Sequence, residues 1–106
     1  MRNSLLIAGI LLAASTVGVL AADVPIDQAG QRFAPNSVTI KVGDTLVFTN
    51  KDDVKHNINV ISPGGDTDDK GVQAPGENIT HTFPAPGEYQ VRCKIHPKMR
   101  MTVTVQ

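Results

Sequence analysis

From Asp23 onward no stretch of the chain sustains a helical period, and the apolar residues recur at every second position between turns rich in glycine and proline. Val38, Ile40 and Val42 fall on one face of a short run, His56, Ile58 and Val60 on another, and Tyr89, Val91 and Cys93 on a third. Alternation of that kind describes strands buried on one side. The breaks fall at Ala34-Pro35-Asn36-Ser37, Val42-Gly43-Asp44, Pro63-Gly64-Gly65, Pro75-Gly76 and Pro86-Gly87. Short strands with turn formers between them restrict the fold class to an all-β sandwich.

The expected strands are a bent first one within residues 26–33, broken around Gly30, then 38–42, 45–50, 56–60, 79–83, 89–93 and 101–105. Residues 79–83 and 89–93, joined by a turn at 84–88, read as an antiparallel hairpin with His81 opposite Val91. That register makes His81 a structural histidine, not a ligand. Residues 51–55 and 63–71 read as polar loops. Asp66, Asp68 and Asp69 lack the spacing and downstream glutamate of an EF-hand, so the second loop reads as solvated acid, not a calcium site.

Residues 1–22 read differently. Arg2 precedes an apolar run from Leu5 to Ala14, a softer Ser15-Thr16-Val17-Gly18, and small residues up to Ala22. A basic start, an apolar middle too short to span a bilayer comfortably and a small-residue end describe a cleaved secretory signal, with cleavage after Ala21 or Ala22; an uncleaved membrane anchor is the alternative, disfavoured by the lapse at Ser15-Thr16 and Gly18. The mature domain is then residues 23–106, exported to the periplasm with no stable membrane insertion, as a monomer. Ten Lys and Arg balance ten Asp and Glu in the whole chain. That balance argues against a nucleic-acid partner. One cysteine makes no intramolecular disulfide, and an exported thiol oxidises unless something ligates or buries it.

Metal ligation resolves that difficulty. The stretch Cys93-Lys94-Ile95-His96-Pro97-Lys98-Met99 places a thiol, an imidazole and a thioether three residues apart. This soft, mixed donor set suits copper, whereas magnesium and calcium prefer oxygen. A trigonal site of two histidines and one cysteine with a distant methionine is the arrangement used for copper electron transfer. The heptapeptide supplies three of those four donors, and His56, inward by parity and at the start of its strand, is the leading candidate for the fourth. Met101 shares parity with Val103 and Val105 and is expected in the core.

His56-Asn57 together with Cys93-x2-His96-Pro97-x-Met99 resembles the plastocyanin and amicyanin branch of the cupredoxins, the small blue copper proteins. The short gap between His96 and Met99 is similar to that of amicyanin-like members, and the Val42-Gly43-Asp44 and Pro86-Gly87-Glu88-Tyr89 turns fit as well. The resemblance implies a Greek-key sandwich of seven or eight strands, one copper ion cycling between Cu(I) and Cu(II), and His56, Cys93, His96 and Met99 as its ligands. It implies that Asn57 braces the ligand loop. It also implies redox protein partners such as a dehydrogenase and a c-type cytochrome.

The expected function is single-electron transfer between larger redox proteins, not enzymatic catalysis, since four protein ligands leave no open position for a substrate. A periplasmic copper carrier is the alternative that the same donors would serve. A cysteine-based enzyme using Cys93 and His96 is disfavoured by their spacing on one tight loop. Lys94, Lys98, Arg92 and Arg100 are expected around the ligand loop and the acids of 66–69 away from it, a dipole suited to steering an acidic partner.

Overall fold

The computed structural model describes residues 20–106, so the expected leader lies outside the described residues except for its last three positions. Nine strands are found there: β1 (Asp23–Gln28), β2 (Phe33–Ala34), β3 (Ser37–Ile40), β4 (Thr45–Asn50), β5 (His56–Ile61), β6 (Thr67–Gln73), β7 (Asn78–Thr82), β8 (Gly87–Arg92) and β9 (Arg100–Val105). They form a four-stranded sheet, β2-β1-β4-β7, and a five-stranded sheet, β3-β9-β8-β5-β6. The all-β sandwich is as expected; the strand number exceeds the seven or eight that the resemblance implies.

Alternation builds the core. Leu46 and Phe48 of β4, Ile26 of β1 and the partly buried Ile79 of β7 face Val60, Val91, Met101 and Val103 from the second sheet. Phe83 and Tyr89 close one end edge to face, ring centroids 5.0 Å apart. Val42 departs from its expected place. It lies past the end of β3, 44% exposed, because the chain already turns there. At the next residue Gly43 adopts φ 93°, which lets its N–H reach Phe83 O at 2.8 Å. A side chain would strain that backbone.

Three sequence expectations are corrected by the topology. First, β7 and β8 are not a hairpin: β7 pairs with β4 in one sheet and β8 with β5 and β9 in the other, so His81 lies opposite Leu46 and not Val91. Second, the acidic segment is not all loop. Thr67–Gln73 forms β6, the edge strand beside β5, whose side chains are largely exposed and therefore carry no apolar alternation. Third, β5 buries both faces. It lies between β8 and β6, and its register shifts between Asn57 and Asn59, so both asparagines are buried along with His56, Ile58 and Val60. Two parallel pairs, β1 with β4 and β3 with β9, complete the sandwich.

Candidate metal centre

The central strands of the second sheet converge on one pole. β5 begins at His56, which is fully buried, and β8 ends one residue before Cys93, which is 1% exposed. Cys93 therefore continues the inward face of Tyr89 and Val91, as parity predicts. Beyond it the chain closes on itself: Met99 N–H donates to His96 O at 2.9 Å, and Cys93 N–H donates to Met99 O at 3.2 Å. Those two bonds bury Met99 and bring His96 back over the strand end.

A donor atom from each of His56, Cys93 and His96 lies within 4.8 Å of the others. His56 Nδ1 is 3.2 Å from His96 Nδ1, and the latter is 3.9 Å from Cys93 Sγ. His56 and Cys93 are buried while His96 is partly exposed, so this imidazole is the donor that reaches the surface. His81, by contrast, is outside the cluster. It packs edge to face on Phe83 at 4.7 Å, with Nδ1 3.7 Å from Asp68 Oδ2. Burial pushes the His81 imidazole pKa down and the Lys70 ammonium adds to this, against a smaller opposite pull from Asp68. His81 thus stands apart from the three clustered donors, and its neighbours differ from those expected.

Two anchors hold the cluster. Asn57 Oδ1 accepts the Lys94 N–H at 3.1 Å, tying the ligand loop to β5. The Asn57 Nδ2 group donates to Asp69 Oδ1 at 2.7 Å and to Gly71 O at 2.9 Å. Lys94 Nζ also pairs with Asp69 at 2.8 Å. The Lys94 ammonium, the Gly71 N–H and the Asn57 amide together hold the Asp69 carboxyl down at about 2. This pair puts an acid beside the ligand loop, so the expected separation of acidic and basic residues is incomplete. The second anchor, Asp52, has no counterpart in the sequence reading. Its Oδ2 lies 2.8 Å from His56 Nε2, at the far side of the ring from the cluster.

The chemistry of the donors fits copper. A buried thiol without a disulfide partner faces two ring nitrogens, and those nitrogens approach each other at 3.2 Å. Soft sulfur and borderline imidazole donors at such separations match a copper ion far better than a hard cation.

The family model of copper binding proteins, plastocyanin/azurin family, matches residues 20–106. The chain belongs to this family of cupredoxins. It is 37% identical over 75 residues to the methylamine utilization protein MauL of Methylophilus methylotrophus, covering 69% of this chain and 43% of that relative. The chain thus spans less than half of that protein. It is 30% identical over 90 residues to plastocyanin of Ulva prolifera, covering 76% of this chain and 92% of the plastocyanin. Among solved structures, a Cu(I) form of an amicyanin mutant superposes with a TM-score of 0.73 at 26% identity, covering 88% of this chain and 89% of that one. Copper is the cofactor that this cupredoxin's donors and family agree on.

Proposed function

We propose that this cupredoxin carries single electrons between redox proteins through a copper ion held by His56, Cys93, His96 and Met99. The observation that carries the reading is the convergence of one buried thiol and two imidazoles within 4.8 Å at the end of the sandwich. Bound copper supplies the one-electron couple. The chain's own residues supply rigidity and a route. Asn57 and the two backbone bonds inside the 93–99 loop fix the donors, so little need move when charge changes. Preset geometry of this kind keeps reorganisation small. His96, the partly exposed donor, provides the path by which an electron enters or leaves. Four protein donors leave no position for a substrate, which favours a carrier over an enzyme.

An open groove of about 640 Å³ runs beside His96, flanked by Arg32, Lys98 and Arg100. Its basic rim favours an acidic docking face on the partner, a dehydrogenase or a c-type cytochrome. The reading includes export to the periplasm after loss of the leader. Cleavage after Ala21 is preferred over cleavage after Ala22, because Ala22 N–H donates to Asp44 Oδ1 at 2.9 Å and Ala22 O accepts from Thr45 at 2.9 Å. The intact mass of the exported protein tests this.

The function itself is tested by absorption and EPR spectra of the copper-loaded protein. An intense visible thiolate-to-Cu(II) band that bleaches reversibly on reduction is expected. A protein that binds copper only as Cu(I) and stays colourless would instead be a copper carrier.

A further inference from the structure

Asp52 sits in the turn between β4 and β5, and its carboxylate gathers three N–H groups. Gly30 N–H donates to Oδ1 at 2.7 Å, Gln31 N–H donates to Oδ2 at 2.9 Å, and His56 Nε2 shares Oδ2 at 2.8 Å. The turn that presents it is itself fixed. Buried Asn50 accepts the Asp52 N–H at 2.9 Å through Oδ1 and donates to Val54 O at 2.9 Å and Gln73 O at 3.3 Å. With backbone N–H groups donating to both of its oxygens, the carboxylate is an acceptor throughout, so the proton in the 2.8 Å contact belongs to His56 Nε2.

We propose that Asp52 is a positioning residue of the metal centre: its carboxylate locks His56 as the Nε2–H tautomer, aims the Nδ1 lone pair at His96 and Cys93, and clamps the Gly30–Gln31 turn to the same imidazole. The geometry at the other nitrogen agrees, since Nδ1 is the atom 3.2 Å from His96. A carboxylate on the outer N–H of a ligating histidine fixes the ring and makes its other nitrogen a stronger donor. Its negative charge also favours the more highly charged Cu(II) over Cu(I). One side chain thereby joins the groove wall formed by Gly30 and Gln31 to a buried ligand. The part of this inference that concerns copper rests on the proposed function; the tautomer does not.

The first measurement is a long-range 1H–15N correlation spectrum of the copper-free wild-type protein. A protonated Nε2 and an unprotonated Nδ1 on His56 are expected; a protonated Nδ1 with a bare Nε2 overturns the proposal, whether or not the chain binds copper. The second compares Asp52→Asn and Asp52→Ala with wild type. Both should lose the fixed tautomer. Both should bind Cu(II) about tenfold more weakly, the lower end of what such outer contacts contribute. Cu(I) affinity should change less. A tenfold shift of the oxidised-to-reduced ratio toward Cu(I) raises the potential by about 59 mV for one electron. A clamp on the turn alone would lower stability in the variants while tautomer and potential stayed at wild-type values, and that outcome also overturns the proposal.

Discussion

Asn57 shows how one amide serves two elements at once. It is 4% exposed, accepts from Lys94 and donates to Asp69 and Gly71. Asn57→Ala strips the loop of its acceptor and leaves Gly71 O and the Lys94 N–H without that partner. Loss of a buried partner costs about 1–3 kcal/mol. Denaturant unfolding of the copper-free variant should show a loss in that range, and a stability within error of wild type would mean that water replaces the amide without penalty. At this scale the sequence is informative where chemistry and spacing coincide. Cys93, His96 and Met99 stand three residues apart with donor types that share one preference, so their association is readable without a fold. Asp52 carries no such mark. A carboxylate within Lys51-Asp52-Asp53-Val54-Lys55 is indistinguishable from a solvated one until the Gly30–Gln31 turn, twenty-odd residues upstream, is placed against it.

Among the elements, β6 is the least legible and carries the clearest pH dependence. Its exposed Thr67–Asp69 half has no inward apolar set to alternate, which is why an edge strand there reads as loop. Acids and Lys70 along such an edge also discourage pairing with another chain. Within β6, Asp69 links the strand to Lys94 of the ligand loop, and its pKa is lowered from 3.8 to about 2. A carboxylate with a folded pKa below its unfolded one stabilises the fold above the unfolded value. That contribution is present above about pH 4 and fades as pH falls from there toward 2. Asp69→Asn should therefore lower stability at pH 6, with the gap to wild type closing by pH 2. An acid limb unchanged by the substitution would show that the Lys94 contact is too solvated to matter. The β7–β8 correction has a related cause. Side-chain parity gives the inward face of a strand buried on one side, as Tyr89, Val91 and Cys93 confirm, but not which sheet a strand joins. Here Pro84–Pro86 carries the chain from one sheet to the other, and Tyr89 Oη donates to Ala85 O at 2.9 Å to hold the corner.

Over the whole molecule, alternation was sufficient to give the sandwich, while the parallel β1–β4 and β3–β9 pairs depend on contacts between segments far apart in the chain. Charge is distributed with a bias that is weaker than a count of residues implies. Lys94 is engaged by Asp69, and Lys51 lies 4.0 Å from Asp27, so the steering charge near the groove falls to Arg32, Lys98 and Arg100. Electron exchange with an acidic partner should slow as ionic strength rises, because exposed charges are screened over about 8 Å at physiological salt. Replacing Lys98 and Arg100 together by glutamine should flatten that dependence. Rates that rise with salt, measured by stopped-flow, would assign docking to an apolar or basic face.

The donors of the centre are held by groups of the protein itself: Asp52 on His56, Asn57 on the 93–99 loop, and backbone bonds within it. The core of Leu46, Phe48, Ile58, Val91 and Val103 is likewise built without ligand atoms. Copper should therefore add to a fold that already exists and not create it. A ligand that binds only the native state at a hundred times its Kd stabilises it by about 2.7 kcal/mol. In a domain of this size each kcal/mol moves Tm by about 4–8 °C. Copper loading should thus raise Tm by some ~10–20 °C, and Cys93→Ala, which removes the thiol donor, should abolish most of that rise while still unfolding cooperatively. Complete unfolding of the wild-type chain by a copper chelator at 25 °C would reverse the order of cause, making the metal, and not the two sheets, the source of the site's geometry.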